Sequence, residues 1–494
     1  MTSNKPNIIY ILADDLGYGD LSCFNVESQI STPHLNDLAN LGMRFTDAHS
    51  SSALCTPSRY SILTGRYNWR SKLKRGVVGG YTPSILEDDR TTVGDLLKKA
   101  NYQTSLIGKW HLGLDWTTEG PLVEPQNFGE ALGILYDQPI GKTPVDYGFD
   151  YFYGISASLD MPPYVFIENN RVEELPDKIT EGKVGMQFWR KGPTAPNFFH
   201  EDVLERFTEK VMDIIDQRTE DPFFIFYSLT GPHTPILPRE EFIGKSATNL
   251  YGDFVMMCDE MIGNIVQKLE EEDLTDDTIV IFASDNGAAP IINFEELEAL
   301  GHFPSKHYRG AKADIYEGGH RIPMIVKWPN RIAANTLCDE TVCLTDFIAT
   351  ISDLVEIPLE DSVGEDSVSN LPLWNESVVE VESRLGIVHH SDDGSLAIRK
   401  GSWKLETCPG SGGWSFPSTK EELIGLPPMQ LYDLEKDPSE TTNLYESNPD
   451  ISLELLKLLE KYIKDGRSTN GEKQVNEMGN YWNEIEWIKQ FDVR

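Results

Sequence analysis

The sequence predicts an α/β protein: a large, mostly parallel or mixed β-sheet sandwiched by helices, followed by a smaller C-terminal α+β unit with an antiparallel sheet. Three observations predict this fold: nearly unbroken apolar runs that end abruptly in polar residues, amphipathic stretches between those runs, and short alternating runs near the C-terminus. The 494 residues exceed the length of an ordinary domain. We therefore expect two units, at residues 1–370 and 371–494.

The apolar runs lie at residues 8–13, 223–229 and 279–283. Runs of this length suit strands that are buried on both faces of a parallel sheet. Ligands of open α/β sheets bind outside the carboxyl ends of the strands, so the polar residues after each run are expected to converge. These residues are Asp14 and Asp15 after the first run, His233 after the second, and Asp285 and Asn286 after the third.

Helices are predicted at residues 203–216 and 254–269, where apolar residues recur at three- and four-residue intervals. Their alternation with strands indicates a layered α/β domain. The acidic residues 270–273 and 276–277 are predicted to form a solvated loop. After a composition shift at residues 360–375, alternating runs at 395–400, 403–406 and 430–434 predict the antiparallel sheet, and residues 451–463 predict a helix.

Composition narrows the classes of partner. With 79 acidic and 43 basic residues the net charge is −36, which argues against nucleic acid and anionic membranes as partners. No apolar run approaches the roughly 20 residues of a membrane helix. The six cysteines show neither zinc-site nor disulfide spacing, and the chain start lacks a signal-peptide pattern, so a cytoplasmic location stays open.

Four oxygen-bearing side chains at two strand ends indicate a metal site: Asp14, Asp15, Asp285 and Asn286. Without imidazole or thiolate, this set favours Ca²⁺ or Mg²⁺ over zinc or copper. Ca²⁺ tolerates an irregular all-protein shell better than Mg²⁺ does. One Ca²⁺ per chain is therefore expected.

Residues 54–66 read LCTPSRYSILTGR. A lone cysteine is ordinarily a buried structural residue. Here its neighbours resemble the signature of the type I, formylglycine-dependent sulfatases of the alkaline phosphatase superfamily, C-x-P-S-R followed by T-G-R. The matching positions are Cys55, Pro57, Ser58, Arg59, Thr64, Gly65 and Arg66.

A second signature of that family, G-Y-x-T-x-x-x-G-K-x-H, is similar to residues 101–111, NYQTSLIGKWH. Only Asn101 departs, and asparagine tolerates the left-handed backbone that a helix-to-strand turn often needs. Lys109 and His111 lie two apart on a segment predicted to be extended, so they should face the same side. The H-x-P element at His233, the R-G-x-K element ending at Lys312 and the L-Y-D-L run at 431–434 extend the resemblance over most of the chain.

The resemblance implies an alkaline phosphatase-like fold and a sulfatase activity. It also implies that a formylglycine-generating enzyme oxidises Cys55 to Cα-formylglycine. The hydrate of that aldehyde has two hydroxyls: one, activated by the metal and Arg59, attacks sulfur, and the other lets sulfate leave. The metal would be held by Asp14, Asp15, Asp285, Asn286 and residue 55.

The remaining roles follow from the chemistry of the matched residues. Lys109 and Lys312 are expected to hold the sulfate oxygens. His233 is the candidate acid for the leaving alcohol, and His111 the candidate relay for the proton lost from the second hydroxyl. With the metal, these cations should make the pocket locally positive, as an anionic substrate of so acidic a protein requires.

The expected substrate is a sulfated sugar or polysaccharide, and the acidic composition is compatible with marine algal material. Candidate specificity residues are Asp160, Arg171, Trp189, His302, His307, Arg309, His389, Arg399 and Trp414. The alternatives are an arylsulfatase, a phosphonate monoester or phosphodiester hydrolase, and a non-catalytic carbohydrate-binding relative. The resemblance favours a periplasmic or secreted protein, and the oligomeric state stays open.

Overall fold

The structure is a computed structural model that describes residues 5–123, 125, 127–374 and 384–490. In these residues the strands are β1 (Asn7–Asp14), β2 (Met43–Phe45), β3 (Ala48–His49), β4 (Gln103–Lys109), β5 (Tyr151–Ile155), β6 (Ile167–Glu168), β7 (Arg171–Val172), β8 (Lys178–Thr180), β9 (Gly192–Thr194), β10 (Phe223–Pro232), β11 (Thr278–Ser284), β12 (Met324–Lys327), β13 (Thr336–Cys338), β14 (Val342–Cys343), β15 (Ile387–His390), β16 (Leu396–Lys400), β17 (Trp403–Glu406) and β18 (Gln430–Asp433).

The α-helices of the same residues are α1 (Pro33–Asn40), α2 (Cys55–Thr64), α3 (Val93–Lys99), α4 (Val203–Asp216), α5 (Leu250–Glu271), α6 (Phe294–Ala299), α7 (Glu317–His320), α8 (Phe347–Val355) and α9 (Pro449–Asp465). No helix in the described ranges combines the length and apolarity needed to cross a bilayer.

The large sheet has ten strands in the order β13-β2-β12-β11-β1-β10-β4-β5-β6-β7. Its five central strands, β11-β1-β10-β4-β5, are parallel to one another, whereas β12, β6 and β7 pair antiparallel with their neighbours. The mixed sheet is therefore confirmed. The three apolar runs are β1, β10 and β11, which lie side by side at its centre because their side chains can be buried on both faces.

The helix predictions are confirmed, with changed bounds for two helices, of which α9 extends two residues beyond each predicted end. α4 has the predicted ends, but α5 begins four residues earlier than predicted, after Asn249, whose side chain accepts a hydrogen bond from the N–H of Tyr251. α5 also ends later, so Glu270 and Glu271 are helical and the predicted acidic loop begins only at Glu272. Its residues are exposed or half-buried, as a solvated segment requires.

The C-terminal unit contains the predicted antiparallel sheet, in the order β15-β16-β17-β18. β15 was not among the predicted strands. Leu455 and Leu459 of α9 join Ile398 and Leu405 of the sheet in one apolar core, to which Trp69 of the preceding unit also contributes. Because residues from both sides of the predicted division share this core, the boundary at 370/371 stays a prediction.

Gly108 is the tightest point of the central sheet. Its φ of +112° is left-handed, and a Cβ there would lie 1.8 Å from the carbonyl oxygen of Ser228. We expect Gly108→Ala to lower the free energy of unfolding by at least about 3 kcal/mol, because a β-carbon forces the paired strands apart. Urea unfolding measures the loss. Gly141→Ala is the matched control, because its Cβ would come no closer than 3.4 Å to other atoms and its φ is not left-handed. A change below about 1 kcal/mol for Gly108→Ala would contradict this account.

Candidate active site

The carboxyl ends of the central strands bring the predicted residues to one edge of the sheet. β1 ends at Asp14 and β4 ends at Lys109, while His233 and Asp285 directly follow β10 and β11. These strands are parallel neighbours, so their ends face the same crevice. Asp15 leaves β1 with a φ of +64°, which turns the chain sharply at this edge.

The helix α2 places Cys55 at this crevice. Cys55 is the first residue of α2 and is 1% exposed. Arg59 lies one turn later and therefore on the same face of the helix. Gly65 ends the helix with a φ of +66°, and its N–H donates to the Ser61 carbonyl at 2.9 Å. The T-G-R part of the signature thus terminates the helix that positions residue 55.

Lys312 lies directly beside Cys55. Its Nζ is 3.2 Å from Cys55 Sγ and donates to both carboxylate oxygens of Asp15 at 2.7 Å. Burial raises the pKa of the Cys55 thiol to about 12, although Lys109 and Lys312 oppose the shift. Burial acts against the charge of Lys312, but Asp15 raises the pKa of its ammonium well above the usual value. Lys312 is therefore a fixed cation at residue 55.

A chain of contacts links Lys109 to His233. Lys109 Nζ donates to Asp14 Oδ2 at 2.7 Å and to Ser158 Oγ at 3.0 Å. Ser158 Oγ lies 3.3 Å from His233 Nε2, which in turn is 3.6 Å from Asp15 Oδ2. His233 lies at the edge of the buried cluster, where a ligand can reach it.

Arg59 joins the two acidic strand ends. Its Nε and Nη2 donate to Asp285 Oδ2 at 2.9 and 2.7 Å, and Nη2 lies 3.5 Å from Asp14 Oδ1. Burial opposes the charge of Asp14, but Lys109, His233 and Arg59 bring the pKa of its carboxyl well below the usual value. The side chains of Asp14 and Arg59 therefore remain charged at neutral pH.

His111 departs from the sequence prediction. β4 ends at Lys109, and His111 has a φ of +59°, so the segment is not extended and the alternation of sides does not apply. His111 nevertheless lines a cavity that Cys55, Lys312 and His233 also line. Its Nε2 donates to the Val78 carbonyl at 2.8 Å. Burial lowers its pKa well below the usual value, and Lys109 adds to this effect, so the imidazole is neutral and Nδ1 is left as an acceptor.

The acidic strand ends fit a divalent cation. Asp14 Oδ1 and Asn286 Oδ1 are buried and have no hydrogen-bond partner among the described residues. One ligand atom from each of Asp14, Asp15, Cys55 and His233 lies within 4.8 Å of the others, and Asp15 also contacts Asp285 and Asn286. The site holds three cationic side chains, Arg59, Lys109 and Lys312. Their charges are balanced by the three carboxylates of Asp14, Asp15 and Asp285. Burial raises the pKa of Asp285 to about 6, although Arg59 opposes the shift, and the excess of positive charge expected from the sequence would come from a bound cation.

A cavity of about 760 Å³ opens above Cys55, Lys312 and His233. Of the nine candidate specificity residues, Asp160 and Trp414 line this cavity. The other seven do not line it, and each of them contacts another residue of the protein. Trp189 stacks on His200, His302 contacts Asp20, His307 packs on Tyr308, Arg309 packs on Tyr316, His389 stacks on His320, Arg399 pairs with Asp47, and Arg171 donates to the Asp137 carbonyl.

Several cavity residues were missed by the sequence interpretation. They are Arg75, Phe128, Phe188, Arg190 and Asp392. They lie in irregular segments with no strand or helix period. No signal in a single sequence distinguishes them from other surface residues.

A buried cluster of three histidines, His49, His320 and His389, was also missed, although His389 was named as a candidate specificity residue. His49 Nδ1 lies 3.1 Å from His320 Nδ1, and the rings of His320 and His389 stack at 3.8 Å with an interplanar angle of 7°. An imidazole binds metal in its ring plane, so two parallel stacked rings cannot share one ion. Burial lowers the pKa of all three rings, which therefore form a neutral packing cluster.

Comparison with known proteins agrees with this arrangement. The sulfatase family model matches residues 6–357. An N-acetylgalactosamine-6-O-sulfatase of Bacteroides thetaiotaomicron is 36% identical, with 93% of each chain covered, and human arylsulfatase A is 30% identical over 96% of this chain and 91% of its own. A solved structure from Bacteroides thetaiotaomicron, described in connection with the metabolism of multiple glycosaminoglycans, has a TM-score of 0.81 and 35% identity over 93% of this chain and 99% of its own. The fold is thus that of the alkaline phosphatase-like sulfatases, and the chain belongs to the sulfatase family of enzymes.

Proposed function

We propose that this sulfatase removes sulfate from a sulfated sugar, using a formylglycine derived from Cys55 and a bound Ca²⁺ ion. The observation that carries the proposal is the meeting of Cys55, Lys312 and the acidic strand ends at the floor of one cavity. At about 760 Å³ the cavity has room for much more than a sulfate group, in the range of sites that enclose small organic ligands.

The proposed Ca²⁺ ligands are Asp14, Asp15, Asp285, Asn286 and residue 55. One oxygen of Asp14 and one of Asn286 accept no hydrogen bond among the described residues, and they support the assignment because oxygen ligands suit calcium. When bound, the ion would polarise a sulfate oxygen and residue 55. Arg59 keeps Asp285 and Asp14 in place through a hydrogen bond to Asp285 at 2.7 Å and an ion pair with Asp14 at 3.5 Å.

Cys55 is proposed to be converted to formylglycine by a formylglycine-generating enzyme. A buried thiol at the first residue of a helix is inaccessible to another protein, so the conversion should precede folding of α2. The hydrated aldehyde would supply the nucleophilic hydroxyl and a second hydroxyl through which sulfate leaves.

Four further side chains would bind the sulfate oxygens or transfer protons. Lys312, whose ammonium is held by Asp15, and Lys109, whose ammonium is held by Asp14 and Ser158, would bind the sulfate oxygens. His233 would protonate the leaving sugar oxygen from the edge of the cluster. His111, neutral and with Nδ1 unpartnered, would take the proton released when sulfate departs.

The similarity to an N-acetylgalactosamine-6-O-sulfatase supports a 6-O-sulfated amino sugar as the substrate class. An aryl sulfate, a phosphonate monoester or phosphodiester, and binding without catalysis are the alternatives. An algal polysaccharide is a further candidate sugar. We also propose that the protein works in the periplasm or outside the cell, where sulfated polysaccharides are encountered.

The test is product release: sulfate, measured by ion chromatography, from 6-O-sulfated N-acetylgalactosamine, other sulfated oligosaccharides and 4-nitrophenyl sulfate, and phenol, measured by its absorbance, from a phenyl phosphonate monoester. Mass spectrometry of the residue 55 peptide must first establish the fraction converted. We expect the highest kcat/KM on a sulfated sugar. Faster turnover of the phosphonate ester would support the alternative of a phosphonate monoester hydrolase. Binding of a sulfated sugar without release of sulfate, by fully converted protein, would support the alternative of a non-catalytic binding protein.

A further inference from the structure

Asp160 has an unused hydrogen-bond acceptor on the wall of the active-site cavity. The residue is 4% exposed, and its Oδ1 has no hydrogen-bond partner among the described residues. Leaving a buried carboxylate oxygen without a donor costs about 1–3 kcal/mol or more. Such an atom is expected where a ligand supplies the missing donor.

The orientation of this carboxylate is fixed by Arg190. Nη1 of Arg190 donates to Asp160 Oδ2, and the two residues are also joined by the hydrogen bond from Arg190 N to the Asp160 carbonyl at 3.0 Å. Arg190 is itself held, because its Nε donates to the Asn127 carbonyl at 2.7 Å and its guanidinium lies 5.7 and 5.0 Å from the rings of Phe128 and Phe188. Arg190 therefore cannot turn to satisfy Oδ1.

The Nη2 of Arg190 is a matching unused donor. No described residue accepts a hydrogen bond from it, and Arg190 lines the same cavity with 24% of its side chain exposed. Two residues of the cavity wall that are paired with each other thus offer one free acceptor and one free donor. Two neighbouring oxygens of a sugar ring present the complementary pair, whereas an aryl ring presents neither.

Asp160 is also close to the proposed reaction centre. Ser158, two residues earlier, contacts both Lys109 and His233. Two residues span at most about 7 Å of chain, which is the scale of one sugar ring next to its sulfate. The pair therefore reaches the sugar that carries the scissile sulfate rather than a distant unit.

We propose that Asp160 accepts a hydrogen bond from a hydroxyl of the sulfated sugar while Arg190 donates to a neighbouring oxygen, so that this pair selects sugar over aryl sulfates. The inference rests on the proposed function and names the residues that would give it its substrate class. The loss of one hydrogen bond to a charged group corresponds to about 10- to 150-fold in affinity.

The test is calorimetric binding of N-acetylgalactosamine 6-sulfate in calcium buffer to the Cys55→Ser protein, with and without Asp160→Asn. We expect Asp160→Asn to weaken binding at least 10-fold. Glu181→Gln is the matched control, since Glu181 pairs with Lys191 outside the cavity and should change affinity less than 3-fold. Equal affinity with and without Asp160→Asn, or no binding of the sulfated sugar at all, would overturn the inference.

Deoxy analogues supply a measurement that does not depend on the variant folding. With Asp160 intact, one monodeoxy sugar sulfate should bind at least 10-fold more weakly than the parent, and Asp160→Asn should abolish that difference. If every monodeoxy analogue binds like the parent, the inference is wrong. Absence of sulfate release by converted protein would refute the proposed function instead, and binding through Asp160 could still be measured.

Discussion

Replacing Cys55 by serine is expected to lower kcat for sulfate release by about 10⁴-fold or more, because serine has one hydroxyl and cannot become a hydrated aldehyde. A serine that attacked sulfur would remain as a sulfate ester with no second hydroxyl to release it. Serine preserves the shape of the buried side chain and can accept the Lys312 hydrogen bond, so we expect folding and substrate binding to persist. Sulfate release, circular dichroism and calorimetric binding measure the three quantities.

Cys338→Ser provides the matched control. Cys338 is a buried cysteine at the edge strand β13 of the large sheet, away from the cavity, so sulfate release should change by less than about two-fold. In unsubstituted preparations, activity should rise in proportion to the converted fraction of residue 55. Substantial release by Cys55→Ser, or activity independent of conversion, would refute the assignment of residue 55 as the nucleophile.

The central sheet could be predicted from sequence because each strand can be identified from its own residues, and the geometry of parallel sheets then relates the strands to one another. Residues 8–13, 223–229 and 279–283 are apolar enough to be buried on both faces, and parallel strands bring their carboxyl ends together. That rule alone places Asp14, His233 and Asp285 at one edge. Asn101 shows the same agreement at a turn, since its φ of +62° is the left-handed conformation that asparagine tolerates.

The cavity wall could not be predicted, because its residues are positioned by contacts between distant irregular segments. Asp160 faces the cavity through its pair with Arg190, 30 positions away, and Trp414 is held by its backbone N–H and by Nε1, which donate to Asp314 and Asp392. The prediction of an extended backbone at His111 was wrong for a related reason, since its left-handed conformation depends on tertiary packing rather than on the two-residue period of a strand. The sequence motifs therefore identify the residues of the reaction that the family shares. The residues that determine substrate specificity can be identified only from the three-dimensional structure.

Removing the proposed Ca²⁺ ion is expected to lower activity and thermal stability together. Asp14, Asp15 and Asp285 are buried within one cluster, so an ion that binds only the folded protein would stabilise it by about 2.7 kcal/mol at a hundredfold excess over Kd. For a chain of this length that corresponds to a fall in Tm of roughly 3 °C on chelation. Activity should fall by about 100-fold or more, because the sulfate oxygen and residue 55 would lose their polarising charge.

The experiment compares EGTA-treated protein with protein to which Ca²⁺ has been returned, by scanning calorimetry and sulfate release. Asp285→Asn should abolish the Tm response to Ca²⁺, because it removes the charge of one proposed ligand while keeping its shape. Asp88→Asn, at an exposed carboxylate paired with Lys142, should leave the response intact. Asp285→Asn should itself lower Tm, because the buried guanidinium of Arg59 keeps its hydrogen bonds to the Lys109 carbonyl and Ser228 but loses the charged partner at 2.7 Å, and the 3.5 Å contact to Asp14 is its remaining ion pair among the described residues. The change in Tm on addition of Ca²⁺, rather than Tm itself, therefore reports on the metal site. Zinc found by elemental analysis of active protein would overturn the choice of calcium.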